Sequence, residues 1–276
     1  MAHFEVVEDY FSGVTVNLSD KDLKLEANVF DERLFLSLEE WKQQGKRGVW
    51  LRIPLTAAHL VAPAAQCGFV AHHAKPDYIM MTKWLPEGAS PLPQYAHHQV
   101  GVGGMVLDAS GTKVLCIQEK RGMTAGRKDF WKLPGGMVDA KEDFCDAAVR
   151  EVLEETGVHA IFECLGAIRE THKGPFGSTD LYGICVLRVD AEKHSDSTPK
   201  PVLQESEIAA AEWRDLTEFL SAPWYAKGLY GSLLRTSADI GVRRRKGEEV
   251  GMGRAVMKGL GGIPESMYFA AGAAKL

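Results

Sequence analysis

The sequence predicts an α/β protein in which a small N-terminal unit precedes a larger one. Stretches that alternate apolar and polar residues, as strands do, recur between stretches with the period of helices. A segment rich in proline and glycine, residues 86–93, interrupts this order. With 276 residues, 45% of them hydrophobic and 25% charged, the chain is long enough for two cores. We therefore expect units at 1–94 and 95–236 and a tail at 237–276.

The N-terminal unit is predicted to contain four strands and two helices. In chain order these are a strand at 14–18, a helix at 19–44, a strand at 49–54, a helix at 57–67, and strands at 68–74 and 78–85. Two histidine pairs, His72-His73 and His97-His98, raise the question of a metal site. Because neighbouring residues of a strand point to opposite faces, neither pair is expected to chelate through both rings.

The larger unit is predicted to contain five strands, a helix between the second and third strands, and a short helix after the fifth. The strands are expected at 101–108, 114–119, 161–170, 181–189 and 209–214, and the short helix from 216 to 220 or beyond. From about Ser237 the chain is rich in glycine and carries the basic run 243–246. This composition favours a flexible, solvated tail, and a phosphate-binding arm is the alternative.

The most informative stretch is residues 136–158, GMVDAKEDFCDAAVREVLEETGV. It predicts a helix of about fourteen residues. Asp139 or a near neighbour is expected to cap its start, with Glu142 three residues on, and Gly157 suits the left-handed residue that ends it. At about 100° per residue, acidic and apolar side chains separate onto opposite faces. The acidic face holds Glu151, Glu154 and Glu155, and the apolar face holds Cys145, Val149, Val152 and Leu153.

The acidic face predicts a site for a hard divalent cation. Carboxylates three and four residues apart on a helix repel each other, and Arg150 offsets only part of that repulsion. Mg²⁺ prefers oxygen ligands and commonly combines a few carboxylates with substrate phosphates and waters. A solvated acidic face is the alternative, but the glycines, the arginine and the remote Glu142 favour metal binding.

The spacing Gx₅Ex₇REVLEETGV, from Gly136 to Val158, matches the Nudix box without a departure, so the chain resembles the Nudix hydrolases. Residues 130–136, FWKLPGG, look like the WxxPGG entry of that family, and residues 98–104 look like its first strand. Residues 49–54 and 68–74 resemble the pre-Nudix domain of a eukaryotic subgroup. The resemblance implies a Nudix α/β/α sandwich preceded by half of an acetyltransferase-like fold, which here lacks a Q/RxxGxG/A loop for acetyl-CoA.

The resemblance also implies hydrolysis of a diphosphate bridge, with Mg²⁺ or Mn²⁺ as cofactor. A bound cation neutralises phosphate oxygens and lowers the pKa of water. The expected metal ligands are Gly136, Glu151, Glu154 and Glu155. Glu154 is the first candidate for general base, and Glu205 and Glu207 on a later loop are alternatives. Arg150 and Glu142 complete the expected catalytic set, in which Arg150 orients a neighbouring glutamate.

The implied substrate is a small molecule linked to a nucleoside diphosphate, and the subgroup suggests ADP-ribose or NADH. Trp131, Lys132 and Phe176 are the candidate binding residues, although core packing is the alternative for the two aromatic side chains. No SQPWPFPxS segment follows Gly157, and Pro175 lies eighteen residues after it instead of the fifteen or sixteen associated with ADP-ribose. The choice of substrate therefore rests on the subgroup alone.

Two other functions compete with hydrolysis. The chain could be a regulatory or nucleotide-sensing protein that binds a partner through the N-terminal unit, and release of phosphate from nucleotides would separate the two. An isomerase of isoprenoid diphosphates lacks an evident reactive cysteine arrangement. A net charge of −5 argues against nucleic-acid partners, and no stretch has the length of a membrane span. We expect a cytoplasmic protein, and the resemblance implies a homodimer.

Overall fold

The computed structural model describes residues 4–122, 124–172, 174–259 and 262–271. The chain divides into two compact units between Ala96 and His97, two residues after the expected boundary. No helix within the described ranges is both long enough and apolar enough to cross a membrane.

The N-terminal unit is a five-stranded sheet with the strand order β1-β2-β3-β5-β4. Strands β2 and β3 are parallel and the other neighbours are antiparallel. Alternate residues of β3 are buried in one core with apolar side chains of α1, because every second strand residue faces the helices. The elements are β1 Val6–Glu8, β2 Val14–Asn17, α1 Ala27–Gln43, β3 Gly48–Pro54, α2 Val61–Gln66, β4 Val70–Lys75 and β5 Tyr78–Trp84.

Both helices of this unit are shorter than the sequence predicted. A 3₁₀ turn at Asp22–Lys24 replaces the first part of the helix expected from residue 19, and the Asp22 carboxylate holds that turn by accepting from the backbone and hydroxyl of Ser19. The helix expected at 57–67 divides into a 3₁₀ segment, Leu55–Leu60, and α2. This division puts Pro63 in the first turn of α2, where proline removes no helical hydrogen bond.

His72 and His73 do not point to opposite faces of the sheet, so this prediction is wrong. A β-bulge between Ala71 and His73 breaks the alternation of β4. The two Nδ1 atoms lie 2.7 Å apart, so one ring donates to the other. His72 Nε2 lies 2.8 Å from the carbonyl oxygen of Pro93, and His73 Nε2 lies 3.2 Å from the Tyr78 hydroxyl. The pair is therefore a hydrogen-bonded cluster on the sheet.

The second unit is a seven-stranded sheet with the order β10-β7-β6-β9-β8-β11-β12, in which β6 and β9 are parallel. Its strands are β6 His98–Leu107, β7 Lys113–Glu119, β8 Ala160–Thr171, β9 Thr179–Val189, β10 Ile208–Asp215, β11 Met252–Lys258 and β12 Pro264–Ala270. Its helices are α3 Phe144–Thr156, α4 Leu216–Ser221 and α5 Leu229–Arg245.

Two cores on opposite faces of this sheet produce the three layers. Val102 and Val106 of β6 pack with Val152 of α3, whereas Met105 of the same strand packs with Leu234 of α5. Odd and even residues of one strand therefore face different helices. This arrangement is the α/β/α sandwich that the sequence predicted.

The expectation of a flexible tail from residue 237 is wrong. Residues 237–245 continue α5, and β11 and β12 form an antiparallel hairpin that joins the sheet beside β8 through Met252 and Leu165. Helix α5 buries small residues as well as leucines, so its sequence lacks a strong apolar stripe. Its buried residues are Gly231, Leu233, Leu234, Ser237, Ala238 and Gly241.

The basic run 243–246 contributes a buried structural contact. The Arg245 side chain is 10% exposed and forms an ion pair with Glu163, which is 13% exposed, at 2.5 Å. Arg245 also donates to the carbonyl oxygens of Leu107, Asp108 and Leu187. This arginine therefore ties the last turn of α5 to three strands and a turn of the sheet unit.

We expect Arg245→Ala to reduce the free energy of unfolding of the second unit by about 2–3 kcal/mol, because it removes a part-buried ion pair with Glu163 and hydrogen bonds from a charged donor to three carbonyl oxygens. The matched control is Arg243→Ala, which removes an ion pair with Glu248 at the surface and should change the free energy of unfolding much less. Denaturant unfolding of both variants measures the difference. Equal, small losses would contradict a structural role for Arg245.

Candidate active site

Helix α3 begins later than the sequence predicted and ends where it predicted. Gly157 has φ 66° and closes the helix by donating to the Leu153 carbonyl oxygen. At the other end the N-cap is Asp143, so the assignment of Asp139 is wrong. One half of the expected capping pair forms in the preceding turn, where the Asp139 N–H donates to the Glu142 carboxylate at 2.9 Å. Glu142 is thereby fixed outside the helix.

The burial of the α3 side chains differs from the division into an acidic and an apolar face that the helical spacing predicted. Cys145 and Val152 are buried as expected, but Leu153 is 37% exposed, so its assignment to the core is wrong. Glu155, expected on the acidic face, is only 6% exposed. The sandwich packs α3 on β6 through Ala147, Ala148 and Val152, and this contact turns Leu153 outward.

Two glycines let the backbone of residues 134–138 lie directly against β6 and α3. Gly136 accepts from Val102 N–H at 2.9 Å, so its predicted ligand carbonyl already has one partner. Gly135 has φ +152°, and a Cβ there would lie 2.1 Å from the Val102 carbonyl oxygen. A Cβ on Gly136 would lie 2.6 Å from the Glu151 carboxylate. The glycine loop therefore touches the strand on one side and a motif glutamate on the other.

Arg150 connects the acidic residues to one another. Its Nε and Nη2 each donate to Glu142 at 2.8 Å, and its Nη1 donates to Glu151 at 2.9 Å and to Glu154 at 3.3 Å. Nη2 also donates to the Met137 carbonyl oxygen. These hydrogen bonds lower the pKa of Glu142, whereas burial raises the pKa of Glu151 despite the arginine. Arg150 therefore positions three carboxylates around the glycine loop.

Glu155 is the most perturbed carboxylate of this group. Burial raises its pKa from 4.5 to about 7, and the negative charges of Glu151 and Glu119 act in the same direction. The Gly135 N–H, which donates to Glu155 at 2.7 Å, and the cation of Lys132 act against the rise. A buried acid with this pKa in a cleft is a candidate functional group.

Glu155 lines a cleft of about 490 Å³ together with two acids from other elements. Glu119 ends β7, and Glu207 follows a loop that wraps the end of α3. In that loop the N–H groups of Val202 and Gln204 donate to the carbonyl oxygens of Thr156 and Glu155, which lack helical partners. The remaining cleft residues are Arg121, Gly122, Ser206 and Ile208. A second cavity of similar size, at the other end of β6, contains none of the motif residues.

The sequence predictions missed Glu119. Its carboxylate accepts from Lys132 Nζ and, at 3.1 Å, from the Thr124 hydroxyl. An acidic residue at the end of a predicted strand is weak evidence for a functional site, because most such residues are solvated. Only the pairing of β7 with residue 132 brings it beside the glycine loop.

The three predicted substrate residues occupy different surroundings. Lys132 pairs with Glu119 near the cleft. Trp131 packs against the core, with the Arg214 guanidinium 4.8 Å from its ring and its carbonyl oxygen accepting from the Tyr225 hydroxyl at 2.5 Å. Phe176 is fully exposed on a short turn with φ 57°, and it is not one of the residues that line the cleft. Of the three, only Lys132 directly contacts a cleft residue in the described structure.

Comparison with known proteins identifies the family. A profile described as a NUDIX domain matches residues 97–234, and one described as a Nudix hydrolase domain matches residues 4–85. The chain belongs to the Nudix hydrolase family. The second unit is thus the Nudix unit, α3 is its Nudix helix, and α5 beyond Leu234, β11 and β12 lie outside the matched region.

Plant and animal relatives match different shares of the chain. Nudix hydrolase 7 of Arabidopsis thaliana is 36% identical over 250 residues, which cover 90% of this chain and 83% of the relative. Nucleoside diphosphate-linked moiety X motif 6 of Mus musculus is 45% identical over 184 residues, which cover 65% of this chain and 58% of the relative. The human protein of the same name is 43% identical over 184 residues, again covering 65% of this chain, and 57% of the relative. The match therefore spans little more than half the length of these animal relatives.

The donor atoms of the Nudix helix fit a hard divalent cation. Carboxylate oxygens are the preferred ligands of such ions, and a cation would offset the burial and the neighbouring negative charges that raise the pKa of Glu155. In the described ranges, no three His, Cys, Asp or Glu side chains are grouped closely enough to hold an ion by themselves. The arrangement is therefore a partial site, of the kind that substrate phosphates complete.

We expect Gly135→Ala to reduce the free energy of unfolding of the Nudix unit by about 3 kcal/mol or more, because its Cβ would overlap the backbone of β6. Gly126→Ala is the matched control: Gly126 has φ +77° with open space around it, so only the backbone strain of about 1–2 kcal/mol applies. Denaturant unfolding compares the two variants. A similar loss at both positions would exclude the close contact.

The pKa of Glu155 predicts a pH-dependent stability. Without metal, the unfolded state ionises this acid near pH 4.5 and the folded state only near pH 7, so stability should fall as pH rises between these values. The fall should be at most about 3 kcal/mol. Glu155→Gln should abolish this part of the fall, which unfolding in the presence of a chelator at pH 4 and pH 8 measures. An identical pH profile in both proteins would refute a raised pKa.

Proposed function

We propose that the chain hydrolyses the diphosphate bridge of compounds in which a nucleoside diphosphate is linked to a second group. The observation that carries this proposal is the convergence of the Glu119, Glu155 and Glu207 side chains on one cleft beside the glycine loop. Membership of the Nudix hydrolase family supports the same reaction. The products would be a nucleoside monophosphate and a second phosphate ester.

The proposed cofactor is Mg²⁺ or Mn²⁺, held mainly by Glu151 and Glu155, with weaker contributions from Glu154 and the remaining lone pair of the Gly136 carbonyl. When bound, the cation supplies charge neutralisation at the diphosphate and lowers the pKa of water. Arg150 bridges the Glu151 and Glu154 carboxylates through its Nη1 and is itself held by two hydrogen bonds to Glu142. Burial of Glu155 limits competition from bulk water at that carboxylate.

We propose Glu154 as the general base, with Glu207 as the alternative. Glu154 is half-exposed and holds Arg150 only through a 3.3 Å contact, so its carboxylate can turn to a water molecule. Glu207 lines the same cleft as Glu155 and follows the loop that is hydrogen-bonded to the C-terminal end of α3. Glu205 is held differently, since its carbonyl oxygen accepts from Lys120 Nζ.

ADP-ribose and NADH are the proposed substrates. The names of the mouse and human relatives refer to a moiety linked to a nucleoside diphosphate, which fits this class. Lys132, which pairs with Glu119, and Arg121, which lines the cleft, are proposed to meet the phosphates. Trp131 is partly buried, so only the exposed part of its ring could stack on a substrate. Phe176 is fully exposed on its turn and would have to reach the substrate from there. A homodimer stays a prediction for this chain.

The first test is a hydrolysis screen of ADP-ribose, NADH, NAD, coenzyme A, FAD and diadenosine polyphosphates with Mg²⁺, Mn²⁺ or chelator. We expect metal-dependent release of AMP from at least one compound, reduced about 10²-fold or more by Glu155→Gln. Glu192→Gln, an exposed acid on the loop after β9, is the control. Metal binding without turnover of any compound would instead favour the sensing function.

Glu154→Gln and Glu207→Gln distinguish the two candidate bases. We expect Glu154→Gln to lower kcat by about 10²-fold or more with little change in metal affinity, since the base acts on water and not mainly on the ion. Glu207→Gln should then change kcat by less than about tenfold. Measuring kcat and Mn²⁺ affinity for each variant decides the assignment. A reversed order of kcat effects would assign the base to Glu207, and a loss confined to metal affinity would reject Glu154.

A further inference from the structure

The C-terminal hairpin contacts the start of the Nudix helix, although the hairpin lies outside the region that matches the NUDIX domain. Arg254 of β11 donates through Nη2 to Asp143 at 2.5 Å and through Nη1 to Asp146 at 2.9 Å. Its Nε donates to the Ser266 hydroxyl at 3.0 Å, and that hydroxyl donates to Asp143 at 2.6 Å. One arginine therefore joins both strands of the hairpin to the first turn of α3.

Two more contacts reach the same turn from β12. The Tyr268 hydroxyl accepts from the Cys145 N–H at 3.3 Å, one of the N–H groups that a helix start leaves without an internal partner. The Tyr268 ring packs edge-on against Phe144 and Phe162, with centroids 6.2 and 6.3 Å away. The hairpin thus supplies an acceptor and an apolar contact to the helix start.

These contacts replace an ordinary helix cap. Asp143 is the N-cap residue, and aspartate there usually accepts from the second or third N–H of the helix. Its carboxylate makes no such bond and is turned to Arg254 and Ser266 instead. The start of α3 is therefore fixed by the hairpin and not by its own cap.

The position of the helix start matters because α3 is held at both ends. At its C-terminal end Glu155 accepts from Gly135 N–H, and Arg150 reaches Met137 in the glycine loop. About 18 Å of helix separates Asp143 from Glu155, at 1.5 Å per residue. A shift or fraying at the start changes the angle at which Glu151, Glu154 and Glu155 meet the loop, and small misplacements of catalytic groups reduce rates strongly.

We infer that the C-terminal hairpin is a brace for the Nudix helix, and that Arg254 is a positioning residue that acts on the acidic side chains through Asp143 and Asp146. The effect on turnover rests on the proposed function. The brace itself does not depend on the proposed function, because it concerns the start of α3 and can be measured without a substrate.

The experiment compares wild type, Arg254→Ala, Arg254→Lys and Tyr268→Phe as full-length chains at a temperature where unfolding curves show each to be folded. We expect Arg254→Ala to lower kcat about tenfold or more with KM changed less than about threefold, and to speed amide exchange of residues 144–149 about tenfold or more. Arg254→Lys should restore part of both losses. Arg243→Ala, which removes an exposed ion pair of α5, should leave kcat and exchange unchanged.

A double-mutant cycle with Asp143→Asn separates positioning from a general loss of stability. If Arg254 acts through Asp143, the double variant should lose little more kcat than either single variant. If Arg254→Ala prevents folding, Tyr268→Phe still tests whether the hairpin fixes the helix start, because it removes only the hydroxyl that accepts from the Cys145 N–H. In that variant we expect faster exchange at the helix start and a smaller fall in kcat.

Unchanged kcat and unchanged exchange in folded Arg254→Ala would overturn the brace. Faster exchange with unchanged kcat and Mn²⁺ affinity would overturn the positioning role of Arg254. If wild type hydrolyses none of the compounds screened, the proposed function fails, and Mn²⁺ binding becomes the readout. In that case about tenfold weaker Mn²⁺ binding by Arg254→Ala supports the brace, and equal binding rejects it.

Discussion

The buried carboxylate of Glu155 is the constraint on which the arrangement of the Nudix unit depends. It lies at the end of α3, accepts from the Gly135 N–H and faces the charges of Glu119 and Glu151. Burying a carboxylate among other carboxylates is unfavourable unless hydrogen bonds or cations compensate. The Gly135 N–H and the Lys132 cation provide part of that compensation. The remaining excess of negative charge is the basis of the proposed cation site.

The rest of the fold holds this strained group of charges in place. The sandwich fixes α3 on β6 by apolar contacts, and the glycine loop can approach both because two of its residues lack a Cβ. The loop before β10 satisfies the last carbonyl groups of α3 and brings Glu207 to the cleft. At the opposite end of the helix, Arg254 takes the place of a cap. Packing thus determines where each carboxylate lies, and the carboxylates determine the chemistry.

The sequence predicted most of this architecture because its signals were local. The box spacing, Gly157 and the alternation of the strands depend on nearby residues. The predictions failed where contacts between residues distant in the sequence determine the structure. Asp143 became the N-cap because a hairpin more than a hundred residues away binds it, and α5 escaped notice because it buries small residues. A bulge in β4 brought His72 and His73 together against the expected alternation. Glu119 joined the site only through the register of β7 with Lys132.

The most direct measurement is a titration of the Glu155 side-chain carboxyl carbon by ¹³C nuclear magnetic resonance, with assignment by Glu155→Gln. We expect this carbon to titrate near pH 7 in metal-free protein, in line with a pKa of about 7. Saturating Mg²⁺ should move its midpoint well below pH 5, because a bound cation favours the ionised form. A midpoint near 4.5 that is the same with and without Mg²⁺ would contradict both the buried charge and its role in binding the cation.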